Sequence, residues 1–122
     1  MLIKCNQRVT EGEGHVRDLG LVAAAATRPD GVVLGQEAYP TPELKAAALL
    51  QSVVRDRPFS EGNKQTAWVA VLLILRCYGL VPGIQAGAVV ELIGTVATSD
   101  TDVPWIAEQL AVQPGGFPGH RR

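Results

Sequence analysis

The chain has 122 residues, 47% of them apolar and 19% charged, a size and polarity that fit one domain and leave no room for two. A formal charge of −1, from 11 basic and 12 acidic residues, lacks the basic footprint of a sequence-independent nucleic-acid binder, so DNA is not expected as a partner. The two cysteines, Cys5 and Cys77, stand far apart with no CxxC and no nearby His pair, which supports neither a zinc site nor a disulfide framework and fits the reduced cytoplasm.

The opening Met1, Leu2, Ile3 and Lys4 do not make the apolar run of a secretory signal. With only two each of Trp, Tyr and Phe, the core must be built from Ala, Val and Leu, which favours close-packed helices. Residues 19–27 are rich in Ala and Leu and stop at Arg28-Pro29-Asp30-Gly31, which predicts a short helix and a turn. Val32, Val33 and Leu34 are β-prone, but Gly35 limits them to a small hairpin or flap. Thr41-Pro42-Glu43 opens a helix, with a hydroxyl cap, Pro in the first turn and an acid at the positive dipole end. Leu44, Ala47, Ala48, Leu50, Val53 and Val54 then recur at helical spacing to about Asp56.

A second strong helix is predicted over residues 63–78, with Gly79 just past its end. Its segment 66–75 is apolar almost all round, which places it in the middle of a bundle and assigns Trp68, Val69, Leu72, Leu73 and Leu75 to the core. The longest apolar run, residues 67–75, falls well short of the roughly 18 residues of a membrane span, so no membrane is expected. Residues 86–97 form a third long helical pattern, and Asp102 caps a last helix over 103–112. The Gly- and Pro-rich stretch 113–122 reads as a flexible tail, leaving a small all-α bundle over 1–112 with a short hairpin-like flap.

The informative stretch is Arg57-Pro58-Phe59-Ser60-Glu61-Gly62-Asn63-Lys64-Gln65-Thr66, which joins the two best-defined helices. Gly62 permits a sharp turn, and the N–H groups that open the helix at Asn63 suit a phosphate. Lys64 puts a cation where the helix dipole disfavours one, a cost that a ligand phosphate would offset. Glu61 is a candidate carboxylate for Mg²⁺, which commonly takes one or two carboxylates plus nucleotide oxygens. By residue type alone, a capped turn with solvated charges stays open beside this reading.

The stretch resembles the signature of the Fic/Doc family, His-Pro-Phe-x-(Asp/Glu)-Gly-Asn-(Gly/Lys)-Arg, and Lys64 at its eighth position makes it similar to the Doc branch. Residues 14–21, Arg28-Pro29, Tyr39-Pro40, residues 45–50 and residues 77–80 resemble Doc-type stretches in the same order, so the likeness covers roughly residues 5–112. It implies an all-helical toxin of the toxin–antitoxin type; Doc-like members phosphorylate elongation factor Tu, and other Fic members transfer AMP to a target hydroxyl. Carried over, the family's Mg²⁺ position is Glu61, its anion hole is Gly62, Asn63 and Lys64, and its phosphate-contacting position is Gln65. Lys64 is associated with a nucleotide pose that gives kinase activity. The flap aligning a target would be about residues 32–39. The resemblance also implies ATP or a similar nucleotide, a translation-factor target and a Phd-like antitoxin whose C-terminal helix docks across the bundle.

Two positions depart from the family pattern. Arg57 stands where the catalytic His is expected, and a guanidinium cannot take a proton from a target hydroxyl. General-base help is typically worth about 10²–10⁴-fold, so transfer to Ser or Thr should be slowed by that much or lost. Gln65 replaces the phosphate-binding Arg and keeps hydrogen bonding without charge, a deficit that Arg57 is placed to offset. Asn6 aligns with a His of many relatives. His15 and His120 read as solvated side chains, and Cys77 reads as core. Three readings follow: a Doc-like protein weak or inactive as a kinase, an active transferase on an already anionic acceptor, or a non-catalytic nucleotide- or protein-binding module.

Overall fold

The computed structural model describes residues 1–116, so the predicted tail at 117–122 lies outside the described residues. Six α-helices run in chain order: α1 Leu2–Val9, α2 Leu19–Thr27, α3 Pro42–Asp56, α4 Asn63–Cys77, α5 Ala86–Thr98 and α6 Val103–Leu110. Two antiparallel pairs of two-residue strands complete the fold, β1 Val32–Val33 with β2 Gln36–Glu37, and β3 Leu80–Val81 with β4 Gln113–Pro114. The molecule is mostly helical, as its composition required.

The middle of the bundle is α3, not α4. Every residue from Lys45 to Val54 is buried, and the triplet Ala46, Ala47 and Ala48 lets neighbouring backbones approach closely. Helices α2, α4, α5 and α6 all pack on it. Burying Leu49, Leu50 and Val53 contributes about 1.5–3 kcal/mol each before the entropy of ordering is counted. Thr41 caps α3 by accepting from the Leu44 N–H at 3.2 Å, and Asp102 caps α6 by accepting from the Trp105 N–H at 2.9 Å.

Helix α4 buries a stripe of mostly small residues, Asn63, Thr66, Ala67, Ala70, Val71 and Leu75. Of the large side chains expected in the core only Leu75 is there; Leu72 and Leu73 are 39% and 41% exposed, and Trp68 and Val69 are half-buried. The reason is geometric: α3 covers one side and α1 another, and the apolar remainder faces outward. Cys77, at the end of this helix, is likewise exposed and not core.

Three other elements differ from expectation. Helix α1 carries no side-chain cap, so nothing in the sequence announced it. Helix α6 stops two residues early because the N–H groups of Gly83 and Ile84 take its last carbonyls, at 2.8–3.2 Å, while Ala111 turns left-handed at φ 50°. Residues 113–114 are a strand, not tail, and the Gly115 N–H extends their pairing to the Gly79 carbonyl at 2.8 Å.

The β1–β2 flap is held by its base. Lys45, buried on α3, donates to the Glu37 carboxylate at 2.9 Å and to the Pro29 carbonyl at 3.2 Å, with Asp30 3.7 Å away. Arg28 donates to the Tyr39 hydroxyl, the Ser52 hydroxyl and the Ala48 carbonyl. The tip is Leu34-Gly35, both at positive φ, and Leu34 is 98% exposed.

The hydrogen bond to Glu37 raises the Lys45 ammonium above its ordinary range, against burial, which lowers it. The protonated form therefore favours the folded state. Its contribution should be complete below the unfolded value of about 10.4 and fade as pH climbs through the higher folded value. Because Glu37 is half exposed, Glu37→Gln should cost only about 1–2 kcal/mol near neutral pH. Urea midpoints measured across alkaline pH should show the gap between the unmodified chain and the variant narrowing, because without Glu37 the folded ammonium no longer holds its proton above the unfolded value.

Candidate functional site

The chain leaves α3 in a left-handed conformation at Arg57, φ 51° and ψ 64°, which is strained for a side-chain-bearing residue by about 1–2 kcal/mol. Pro58 and Phe59 follow and are both buried, so the turn is anchored by an apolar plug. The segment entering α2 clamps it from outside. Val16 bridges Phe59 antiparallel, the N–H groups of Arg17 and Asp18 donate to the Pro58 carbonyl, and Ser60 N–H donates to the His15 carbonyl at 2.8 Å. The Arg17 guanidinium donates at 2.7 Å to each of the Asp56 and Arg57 carbonyls, which fixes the strained residue from its open side.

Asn63 closes the loop internally. Its buried side chain accepts from the Phe59 N–H at 3.0 Å and donates to the Phe59 carbonyl at 2.9 Å, so both amide atoms are committed to the backbone. What Asn63 can offer a ligand is its own N–H. Gly62 starts α4 at φ 75°, and a Cβ there would come within 2.5 Å of the Thr10 methyl. Since Gly62 has no side chain, α4 has no side-chain cap; its first bond runs from the Thr66 N–H to the Gly62 carbonyl at 2.9 Å. The N–H groups of Asn63, Lys64 and Gln65 are thus left without an intrahelical acceptor.

A buried network from α1 supports the same turn. Asn6 donates to the Glu61 carbonyl at 2.8 Å and to the Thr66 hydroxyl at 3.2 Å. Thr10 in turn donates to the Asn6 carbonyl and accepts from the Gly14 N–H. Asn6 thus holds the carbonyl of the candidate metal residue while leaving its carboxylate free.

The fold brings every predicted site residue together. Arg57, Glu61, Gly62, Asn63, Lys64 and Gln65 line one open cleft of about 740 Å³, closed on its far side by Ala97 and Thr98 of α5. The side chains of Arg57, Glu61, Lys64 and Gln65 bond to nothing among the described residues, and no histidine lines the cleft. Among the described residues no three His, Cys, Asp or Glu side chains converge to hold a metal by themselves. Glu61 therefore suits Mg²⁺ only as one carboxylate completing a shell of nucleotide oxygens and water, the arrangement Mg²⁺ commonly takes. Three residues missed by motif reading matter to this geometry: Arg17, Arg55 and Ser60. Arg17 and Arg55 are placed by contacts about 40 residues away in sequence, so only the fold reveals them.

A family model described as the Fic/DOC family matches residues 1–75. The protein named Toxin Doc from Mycolicibacterium smegmatis (strain ATCC 700084 / mc(2)155) is 44% identical over 102 residues, covering 82% of this chain and 78% of that protein. No solved structure matches.

Gly62→Ala should destabilise the fold by about 2 kcal/mol or more, combining the left-handed backbone cost with the clash on Thr10. Adding Thr10→Ser removes the methyl but keeps the hydroxyl bonds. Chemical denaturation should show the pair recovering the steric part of the loss and leaving about 1 kcal/mol of backbone cost.

Proposed function

Since this chain belongs to the Fic/Doc family and is Doc-like, we propose that it is the toxin-type member of a toxin–antitoxin pair, binding nucleoside triphosphate with Mg²⁺ and working poorly or not at all on target hydroxyls. The observation that carries the nucleotide reading is the uncapped start of α4. Three N–H groups point out of a helix whose dipole is positive at that end, and the Lys64 ammonium sits in the same turn without a counter-ion. A polyphosphate would satisfy the N–H groups and offset the unfavourable position of Lys64 together. Glu61 would hold Mg²⁺, whose chemistry there is to neutralise charge on the transferring phosphate.

Arg57 occupies the place from which a base would serve an acceptor hydroxyl, and a guanidinium keeps its protons. It can bind and orient an anion, and it can supply charge that Gln65 lacks. Phosphorylation of a Ser or Thr, on a translation factor or elsewhere, should accordingly run about 10²–10⁴-fold below that of a His-bearing relative.

The antitoxin's seat in this reading adjoins the cleft. An apolar trough of about 370 Å³ leads off the cleft between α4 and α5, lined by Trp68, Val69, Val89, Val90 and Ile93. Its apolar lining suits the apolar face of an amphipathic helix of a partner, and the presence of Lys64 and Gln65 in that lining would let the helix cover the nucleotide cleft. No described helix is long and apolar enough to cross a membrane, and a chain that binds nucleotide and meets a translation factor would work in the cytoplasm.

Thermal denaturation with ATP or GTP and Mg²⁺ tests the nucleotide reading. Ligand at 100 times its Kd should add about 2.7 kcal/mol, and Lys64→Ala should lose most of the shift. Arg57→His with Gln65→Arg should raise phosphorylation of a target hydroxyl by about 10²-fold or more. An unshifted melting temperature with every nucleotide, or a double variant as inert as its parent, would overturn the proposal.

A further inference from the structure

Next to the cleft at the start of α4 lies a second depression of about 440 Å³, lined by Arg17, Arg55, Asp56, Arg57, Phe59 and Ser60. Arg55, Arg57 and Ser60 line both hollows, so the two adjoin. Three guanidinium groups face one carboxylate here, and among the described residues none of the three forms an ion pair.

The arginines differ in what holds them. Arg17 spends Nε and Nη2 on the carbonyls of Asp56 and Arg57, at the C-terminal end of α3. Arg55 spends Nε and Nη2 on the carbonyls of Val96 and Ser99, at the C-terminal end of α5, and of Thr101 just beyond it. Those bonds fix both planes, and Nη1 of each donates to nothing among the described residues. Arg57 makes no side-chain bond among the described residues. Each helix end brings roughly −0.5 of charge, so three cations against Asp56 and two helix ends still leave about +1 in the hollow. That residual positive charge favours a further anion in the hollow.

We propose that this depression is a subsite for a dianionic phosphate monoester, bound by Arg57 and the free edges of Arg17 and Arg55, beside the nucleotide phosphates and not in their place. Guanidinium groups suit a phosphate because their planar forks donate paired hydrogen bonds to its oxygens. The proposal also gives Arg57 a positive role at a position where no base is left. An ionised oxygen of the bound phosphate would form the new P–O bond as the bond to the departing nucleoside diphosphate breaks, the diphosphate keeping the electron pair. No proton has to move. This use as an acceptor site rests on the nucleotide reading above; the anion site itself does not.

Phenyl phosphate and inorganic phosphate, titrated by calorimetry at fixed ionic strength into the full chain, test the subsite. Saturable phenyl phosphate binding is expected, weakened by about tenfold in Arg57→Gln and changed by less than about twofold in Lys64→Ala. Tighter binding of the monoester than of inorganic phosphate would identify an ester as the source; equal binding would identify free phosphate and overturn the monoester assignment. Absence of saturation, or an equal loss in both variants, would overturn the subsite, the second because it would put the anion on the α4 turn. Mg-ADP added at saturation should leave the phenyl phosphate affinity within about threefold, and full competition would also overturn it. Failure of nucleotide to bind at all would sink the reading in the preceding subsection and leave the phenyl phosphate result standing.

Discussion

Six residues separate the last turn of α3 from the first turn of α4, and the two helices must leave that junction packed against each other. The constraint that makes this possible is the pair of hydrogen bonds between the Asn63 side chain and both backbone groups of Phe59. Closing that ring buries Phe59, sets the left-handed turns at Arg57 and Gly62 at its two ends, and points the first N–H groups of α4 outward. An unpaired amide in that dry position would cost about 1–3 kcal/mol for each group left unsatisfied, so the loop has one well-defined shape. Everything proposed about anions follows from that shape. The same side chain that looks like a ligand-binding group in the motif is used up in building the platform.

Around this junction the charges divide by what they touch. Arg17 and Arg55 act on backbone carbonyls and tie the C-terminal ends of α3 and α5 to their surroundings, while Arg57, Glu61 and Lys64 are held only at their backbones. Fixed cations next to free ones suit ligands that arrive already charged. On the proposed reading, a guanidinium in place of an imidazole would change the acceptor the cleft favours as well as remove a base.

Much of the helical framework was legible because its signals are local. Thr41-Pro42-Glu43 and Asp102 are caps that work within one turn, and Pro29-Asp30-Gly31 breaks α2 where it stands. What escaped depends on neighbours. The apolar girth of α4 looked like full burial, yet burial needs partners on every side, and α3 and α1 supply only two. Helix α1 puts a polar Asn6 on its buried face and has no cap, which hides its periodicity. Strand β4 contains Pro114 and is two residues long, too short for any alternation to show. At the site, the motif residues could be read off the chain, but the roles of Asn6 and Arg17 could not, since each is defined by a contact some 40 to 60 residues away.

Those distant contacts bear on biosynthesis. The Asn6 bonds to Glu61 and Thr66 span 55 and 60 residues, and the strand-like clamp at Val16 and Phe59 crosses the same interval. Closing loops of that length costs entropy that only the finished packing repays. While the ribosome has released fewer than roughly the first seventy residues, the turn at residues 57–62 has neither its completed support from α1 nor the helix that follows it. On the proposed reading, a nascent or prematurely terminated chain shorter than that would be harmless, and any toxicity would begin only once more than half of the 122 residues had been made.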